Sequence, residues 1–340
     1  NHLRGRRLFH DGLRVTGSSS ASCLVTFCAR ALPSLFMTEF ELFISSATPL
    51  DPVACGVVHP CDEVSLMGAI ESMQAGMIEP VLIGPESRIL AEAEKASLSL
   101  KGARIINADH SHHAAEIAAE LAEKGEVEGL MKGSLHTDEL MHAILARSGL
   151  RTKRRMSHIS RFNVPAYKKP LFITDPALNI RPDLAQKADI VQNAICLLQI
   201  LGVERPKVAI LSAVETINPS LVSTLDAAAL CKMADRGQIV GGELDGPLAF
   251  DNAISMEAAR VKGIKSNVAG QPDVLVVPDL ESGNMLIKQL EYLAGAAGAG
   301  IVLGARVPVA LTSRADPAAS RVASAALMKL VAYAYRKKRP

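Results

Sequence analysis

Residues 241–295 read GGELDGPLAFDNAISMEAARVKGIKSNVAGQPDVLVVPDLESGNMLIKQLEYLAG. The run 274–277 is apolar and mostly branched, with no polar alternation, which is typical of a strand buried on both faces of a parallel sheet. A proline and an aspartate end this strand, and the polar residues 281–284 are predicted to form a turn that opens a helix. The glycine-rich stretch at 241–246 is predicted to be another turn.

The same strand and helix unit recurs along the chain from about residue 50. Further strands are predicted at 80–84, 103–106, 129–132, 170–175, 207–212, 300–304 and 308–311. Helices are predicted after Asp62 and at 86–96, 111–124, 137–145, 182–201 and 227–233, with a last helix that ends near residue 335. This alternation predicts an α/β fold with a parallel sheet.

Length and composition limit the possible functions. The chain has 340 residues, of which 49% are hydrophobic and 21% charged, so it can bury a large core and has the length of two domains. Its net charge of +2 and its 4% aromatic content, without tryptophan, argue against a nucleic-acid surface. Its apolar runs are glycine-rich and interrupted by charge, so no membrane span is expected.

The six cysteines form no C-x-x-C pair, which indicates reduced thiols in a cytoplasmic protein. A catalytic thiol among them is the alternative. The first 49 residues are basic and rich in serine, with Arg4, Arg6, Arg7 and Arg14 ahead of a serine run at 18–20. They are expected to be a disordered extension, an expression remnant or a linker, and a targeting leader is the other interpretation.

Two strand ends carry candidate ligand-binding residues. The first is followed by Lys132, Gly133, Ser134, His136 and Thr137. A lysine and small residues at such a position suit a phosphate or a thioester carbonyl, although an ordinary turn between strand and helix explains them equally well. The second is followed by Ser282, Gly283, Asn284 and Lys288. Helix N-termini at the carboxyl ends of parallel strands attract anions, and packing and capping are the alternative roles.

Two charged clusters have competing interpretations. The cationic run at 151–155 includes Arg155, which is a candidate for gripping a nucleotide phosphate, whereas a solvated face is the common role of such runs. The cluster 109–113 contains three histidines, which are common zinc ligands. These histidines crowd one helix start, so a helix cap is the favoured interpretation and no metal site is predicted.

Several motifs in the same order resemble the phosphate acetyltransferase and phosphate butyryltransferase family. They are the segments 62–84, 133–137, 245–251 (DGPLAFD), 278–284 (PDLESGN) and 311–314 (LTSR). The resemblance covers residues 50–334, and segments 211–215 and 226–230 look more like the butyryl branch than the acetyl branch.

The resemblance implies reversible transfer of a short acyl group between coenzyme A and inorganic phosphate, which gives an acyl phosphate. It also implies two parallel-sheet α/β domains with an interdomain cleft, as in isocitrate and isopropylmalate dehydrogenases. Domain I would comprise residues 50–157 and 306–335, and domain II the inserted residues 158–305. Coenzyme A would be a substrate, no cofactor would be tightly bound, and a homodimer or a larger homo-oligomer is expected.

The candidate catalytic residues are Ser313 and Arg314, which belong to a segment that carries the resemblance, and Asp316, which follows that segment. A guanidinium matches phosphate with two parallel hydrogen bonds, and the serine hydroxyl beside it can donate to the acyl carbonyl or to phosphate. In the acetyl branch the presumed base follows the serine by seven residues, and this chain has Ser320 there. Asp316 is the substitute candidate for accepting the thiol proton, and capping of the last helix is its alternative role.

Two other functions fit the sequence less well. A catalytically silent module that binds acyl phosphate or coenzyme A is suggested by the serine at position 320. An NAD-dependent decarboxylating dehydrogenase of related fold is disfavoured, because the chain has no G-x-G-x-x-G after an early strand and no evident acidic metal cluster.

Overall fold

One sheet of eleven strands runs through the described residues, 38–312 and 316–340, of this computed structural model. The strands are β1 Val53–Val58, β2 Ile78–Gly84, β3 Arg104–Asn107, β4 Gly129–Lys132, β5 Ser157–Asn163, β6 Leu171–Thr174, β7 Lys207–Leu211, β8 Glu243–Leu248, β9 Val274–Val276, β10 Ala297–Leu303 and β11 Val309–Ala310. Their order across the sheet is β3-β2-β1-β4-β11-β10-β5-β6-β9-β7-β8. Non-consecutive neighbours show that helices cross between strands, as an α/β fold requires.

The helices alternate with these strands. They are α1 Glu39–Ala47, α2 Glu63–Gln74, α3 Glu86–Lys95, α4 Ser111–Lys124, α5 Thr137–Ala146, α6 Leu184–Ile200, α7 Val222–Asp235, α8 Phe250–Ile254, α9 Met256–Val261, α10 Leu280–Leu293 and α11 Ala318–Lys337, with a short 3₁₀ turn Ser148–Leu150. The predicted cap of α2 is confirmed, because the Asp62 carboxylate accepts from the N–H of Ser65 at 2.8 Å. None of the helices in the described ranges has the length and apolar content to cross a bilayer.

The sheet is largely parallel, with an antiparallel centre. Strands β3, β2, β1, β4 and β11 are parallel neighbours, and so are β6, β9, β7 and β8. Strand β10 is antiparallel to both β11 and β5, and β5 is antiparallel to β6. Because β1, β4 and β11 are adjacent and parallel, their carboxyl ends lie side by side, which brings Lys132 and the segment after β11 to one edge.

Three sequence-based boundaries were wrong. Residues 243–248 form β8 rather than a turn, because they pair with the buried strand β7. Residues 281–284 lie inside α10 rather than in a turn before it, because the carboxylate of Asp279 caps the helix by accepting from the N–H of Ser282 at 2.8 Å. Helix α1 lies within the stretch predicted to be an extension, so the folded part begins before residue 50.

Helix α1 is held by buried apolar and cationic contacts. Phe40 and Ala47 are buried, and the guanidinium of Arg161 on β5 lies 4.2 Å from the centre of the Phe43 ring. Residues 1–37 lie outside the described ranges, so the predictions made for them stay predictions. The proposed division of the remaining chain into two domains also stays a prediction.

Candidate functional site

The carboxyl end of β4 lies directly against that of β1. The backbone N–H of Gly133 donates to the carbonyl oxygen of Val58 at 2.9 Å. A Cβ at position 133 would lie 2.6 Å from the carbonyl oxygen of His59 and nearer still to that of Val58. Both obstacles are backbone atoms, so only glycine fits here, and Lys132 is held at the edge of the sheet with its ammonium 3.3 Å from the Gly133 carbonyl oxygen.

Ser134 connects this turn to a buried histidine that the sequence did not single out. Its hydroxyl donates to the carbonyl oxygen of His59 at 2.8 Å and lies 2.9 Å from the Nδ1 atom of the same residue. His59 adopts a left-handed backbone, with φ of 53°, directly after β1. Burial and the nearby Arg88 lower its pKa, although Glu139 and Asp62 oppose this, so the imidazole is neutral at pH 7.

His136 and Thr137 begin α5. His136 is exposed and is the N-cap of the helix, and its backbone N–H donates to the Glu139 carboxylate at 3.4 Å. Thr137 is half-buried as the first helical residue. These contacts match the ordinary turn between strand and helix, so a ligand role for either residue stays a prediction.

The segment after β11 reaches the same edge. Leu311 donates its N–H to the carbonyl oxygen of Gly300 at 3.1 Å, which fixes the start of the segment on β10. Ser313 and Arg314 lie outside the described residues. Thr312 on one side of them lines a cavity of about 20 Å³ together with Lys132, Gly133 and Asp62, a space for roughly one water molecule.

The lining of that cavity also includes a residue that the sequence analysis did not identify. Arg321, in the first turns of α11, lines it although the residue is only 7% exposed. A signal existed in the sequence: Arg321, Ala325, Met328 and Ala332 share one face of the helix, which is otherwise apolar. The charged residues that line the cavity are Lys132, Arg321 and Asp62, and Arg321 also pairs with the carboxylate of Glu71 at 3.1 Å.

Asp316 closes the segment and lies near α10. Burial lowers the pKa of Lys288, but its hydrogen bond to Glu291 and the charges of Glu291 and Asp316 outweigh burial, so the pKa is raised. The N-cap of α11 is Pro317, the residue that follows Asp316. Ser320 is 3% exposed, so a carboxylate at that position would be buried inside α11.

The N-terminus of α10 offers less to a ligand than its sequence suggested. The N–H of Ser282 and its hydroxyl both donate to the carboxylate of Asp279, at 2.8 Å, and the N–H of Gly283 donates to the Asp279 carbonyl oxygen at 3.1 Å. A Cβ on Gly283 would lie 2.7 Å from a methyl carbon of Val277, so this glycine permits close packing of the helix on β9. Asn284 is exposed and Lys288 half-buried.

Arg155 belongs to a polar network around the loop that follows β6. Its Nε donates to the side-chain oxygen of Asn179, whose amide nitrogen donates to the Asp175 carboxylate at 2.6 Å and to the carbonyl oxygen of Met156 at 2.9 Å. Asp175 and Asn179 are buried. The network thus orients the guanidinium of Arg155 through the bond to Asn179, while the residue itself is exposed.

His158 is a second buried imidazole that sequence reasoning missed. It lies on β5 with 4% of its surface exposed, and within the described ranges its Nε2 has no hydrogen-bond partner. Burial lowers its pKa, against the charge of Asp175 and the carbonyl of Leu311, so the ring is neutral at pH 7. A Cβ at Gly300 would meet both the Nε2 atom of His158, at 2.7 Å, and the carbonyl oxygen of Leu311, so the ring lies beside the start of this segment.

The cysteines near this edge do not have the properties of nucleophiles. Burial raises the pKa of the Cys61 thiol to about 11, and burial also raises the pKa of Cys55. A thiol of this kind is almost fully protonated at neutral pH and reacts poorly. Within 38–312 and 316–340, no group of three or more His, Cys, Asp or Glu residues could hold a metal ion. The histidine cluster instead caps α4, with the His110 Nδ1 accepting from the N–H of His113 at 3.1 Å.

Known sequences place these features in context. A family model described as Phosphate acetyl/butaryl transferase matches residues 111–329. The chain is 55% identical over 296 residues to a phosphate acetyltransferase of Rhizobium meliloti, covering 87% of this chain and 94% of the relative. It is 41% identical over 272 residues to a phosphate butyryltransferase of Clostridium acetobutylicum, covering 80% of this chain and 90% of the relative. The identity is thus higher to the acetyltransferase than to the butyryltransferase, whereas segments 211–215 and 226–230 look more like the butyryl branch.

Solved structures show the same likeness. A branched-chain phosphotransacylase from Enterococcus faecalis V583 matches with a TM-score of 0.73 at 27% identity, covering 83% of this chain and 99% of that one. A 4-hydroxythreonine-4-phosphate dehydrogenase from Klebsiella pneumoniae matches with a TM-score of 0.50 at 13% identity, covering 83% of this chain and 98% of the dehydrogenase. The second likeness concerns the fold alone. Together they confirm the predicted dehydrogenase-like α/β fold class.

Proposed function

Because the chain belongs to the phosphate acetyl/butaryl transferase family, we propose that it transfers a short acyl group reversibly between coenzyme A and inorganic phosphate. The observation that carries the proposal is the meeting of two motifs far apart in the sequence. Lys132 and Gly133 line one cavity with Thr312, the residue before Ser313 and Arg314.

The reaction needs little covalent assistance from the protein, because one substrate attacks the other directly. A phosphate oxygen attacks the thioester carbonyl, the C–S bond breaks, and the sulfur leaves as a thiolate that takes up a proton. In the reverse direction the thiolate attacks the acyl phosphate. The thioester and the acyl phosphate are both activated acyl donors, so orientation of the two substrates and stabilisation of one oxyanion supply the main rate enhancement.

We assign roles to residues on this basis. Arg314 holds phosphate with its planar guanidinium, Ser313 donates to the developing oxyanion, and Lys132 adds positive charge at the end of β4. Asp316 exchanges the proton with the thiol. Support for this role is its place in the sequence, three residues after Ser313 and two after Arg314, the residues proposed to contact the oxyanion and the phosphate.

Coenzyme A carries several phosphates, which need cations outside the cavity. Arg155, oriented by Asn179, and Lys288 are the proposed contacts, with Ser134, His136, Thr137 and Asn284 as polar neighbours. Gly133 and Gly283 contribute space rather than side chains, and Ser282 is a further polar neighbour. Coenzyme A acts as a substrate, and no tightly bound cofactor is required.

We propose acetyl-CoA as the preferred donor, supported by the higher identity to the acetyltransferase than to the butyryltransferase. Butyryl-CoA is the second candidate, favoured by the motifs at 211–215 and 226–230. We also propose a cytoplasmic homodimer. Support comes from free cysteines in the described residues and from exposed apolar side chains on α10, such as Met285, Tyr292 and Leu293.

We further propose the division into domain I, residues 50–157 and 306–335, and domain II, residues 158–305. Its support is that the first boundary falls at the start of β5 and the second just after β10. These are the strands at the antiparallel centre of the sheet, where the strand direction changes.

The test measures acyl phosphate, trapped as a hydroxamate, and thiol release, with acetyl-CoA, propionyl-CoA and butyryl-CoA in phosphate buffer. The R314A variant should lose at least about 100-fold in kcat/KM. R306A, which removes an exposed arginine near the opposite end of β11, is the matched control and should keep it. Saturable binding of coenzyme A by the wild type without turnover would instead favour the silent binding module.

A further inference from the structure

A second cavity, of about 340 Å³, lies at the amino ends of β4 and β11. Its walls are the last turn of α4, residues 127–128 before β4, the 3₁₀ turn, residues 306–307 before β11, and the C-terminal end of α11. Pockets that bind small organic molecules enclose about 300–1,000 Å³. Lys132 and Thr312 lie at or after the carboxyl ends of the same two strands, so this cavity is separate from the candidate active site.

Hydrogen bonds fix the walls of the cavity. The N–H of Arg306 donates to the carbonyl oxygen of Leu150 at 2.9 Å, which joins the start of β11 to the 3₁₀ turn. The N–H of Gly149 donates to the Glu123 carboxylate at 2.9 Å, which joins the same turn to α4. A Cβ at Gly149 would lie 2.5 Å from the Oε1 atom of Glu123, so the turn packs directly on this carboxylate. The cavity is thus formed before any ligand enters.

The charged side chains around the cavity leave an excess of positive charge. Four of the six that line it belong to ion pairs, which are Arg336–Glu128, Lys124–Glu120 and Glu123–Arg147. The other two, Arg306 and Arg339, are exposed, and within residues 38–312 and 316–340 their side chains have neither an ion pair nor a hydrogen bond. Two guanidinium groups without a counter-ion attract an anion.

The remaining walls are not cationic. Helix α4 ends at Lys124, and the last turn of a helix carries carbonyl oxygens without an intrahelical partner. These oxygens have partial negative charge, so they suit hydroxyl or amino donors and oppose a bare anion. Val127, Leu150 and Val307 give the cavity an apolar surface against which a ring can pack. A fitting ligand therefore combines an anionic group with hydrogen-bond donors and a ring.

We infer that this cavity binds a small organic phosphate that carries hydrogen-bond donors, such as a nucleoside monophosphate or a sugar phosphate. Arg306 and Arg339 contact the phosphate, whose oxygens match a planar guanidinium with parallel hydrogen bonds. The hydroxyl groups of the ligand donate to the end of α4, and its ring packs against Val127 and Val307. This binding involves no acyl transfer, so it is independent of the proposed function.

Isothermal titration of the full chain with uridine monophosphate and with glucose 6-phosphate tests the site. At least one of them should bind with a Kd below about 1 mM, and the tighter of the two tells a nucleotide site from a sugar phosphate site. Inorganic phosphate and uridine should each bind at least about tenfold more weakly, because each lacks part of the recognised groups. A Kd above about 1 mM for both probes would overturn the proposal.

Variants locate the binding. R306A and R339A should each raise the Kd of the tighter probe at least about tenfold, because a charge-assisted hydrogen bond to phosphate is lost. E128Q should lower the Kd about threefold, because a carboxylate that repels the phosphate becomes neutral. R236A is the matched control, since Arg236 is an exposed arginine at the end of α7. It should keep the Kd within about twofold.

K132A separates this cavity from the candidate active site, and it should also leave the Kd unchanged. Melting temperatures of the free variants verify that they fold. The same Kd for R306A, R339A and the wild type, or a loss in K132A as large as that in R306A, would overturn the proposal. If the wild type forms no acyl phosphate, the proposed function fails, whereas these titrations still decide whether the cavity binds an organic phosphate.

Discussion

The backbone N–H of Gly133 donates to the carbonyl oxygen of Val58 at 2.9 Å, which joins the end of β4 to the end of β1. This bond places Lys132 at the sheet edge that Thr312 also reaches. A side chain at position 133 would separate the two strand ends, because the atoms it meets are backbone carbonyl oxygens.

G133A is therefore expected to lower kcat by about 100-fold, since the strand ends must shift. Acyl phosphate formation and urea unfolding measure the effect on activity and on the free energy of unfolding. G125A is the matched control, because Gly125 ends α4 with φ of 76° and open space around it. It should lose about 1–2 kcal/mol of stability from backbone strain and keep its kcat. An active G133A would show that the close approach is not needed.

Lys288 should contribute to ligand binding. Replacing it with methionine is expected to raise KM for acyl-CoA about tenfold, or about 1.4 kcal/mol, because a charge-assisted hydrogen bond to the substrate is lost. K232M is the control, since Lys232 makes the same i,i+3 ion pair, at 2.7 Å, on helix α7. Equal KM values for K288M and K232M would remove Lys288 from the site.

Stability should fall as pH falls below about 6.5. Burial lowers the pKa of both His59 and His158 in the folded protein, so the unfolded chain, with a histidine pKa of about 6.5, takes up these protons first. The free energy of unfolding is then expected to drop between pH 7 and 5, by up to about 1.4 kcal/mol per pH unit for each histidine.

The H158Q variant tests this origin. It should make the fall of the unfolding free energy between pH 7 and 5 shallower, by up to about 1.4 kcal/mol per pH unit, which is what one histidine contributes. Urea unfolding at several pH values is the measurement. The measurements stop at pH 5 because carboxylates also affect the free energy of unfolding at lower pH. Glu139 is one of them, since its hydrogen bond to Ser111 lowers its pKa. An unchanged slope in H158Q would assign the effect to other groups.

The C61S variant should keep kcat within about threefold of the wild type, because burial raises the pKa of this thiol to about 11 and no thiolate is available for catalysis. Iodoacetamide should likewise modify Cys61 slowly at pH 7. A large loss of activity in C61S, with normal stability, would revive the catalytic-thiol alternative.

Several features were predictable because they depend on residues close together in the chain. The alternation of buried strands with capped helices, the cap at Asp62 and the histidine cap of α4 follow from local spacing and hydrogen bonding. The family was also recognisable, since short motifs such as 278–284 and 311–314 occur in a fixed order. The sequence alone thus determined the fold class, the class of reaction and which strand ends to examine.

The tertiary structure decided what depends on residues distant in the chain. The antiparallel pairing of β10 with β5 and β11 arises from contacts between strands that no local pattern encodes. The N–H of Ser282 looked available in the sequence, yet Asp279 occupies it once α10 begins earlier. The partners of Arg321 were decided only by the packing of α11 on α2, because the sequence shows a charge in an apolar helix face but not that Glu71 and Gly68 come close to it.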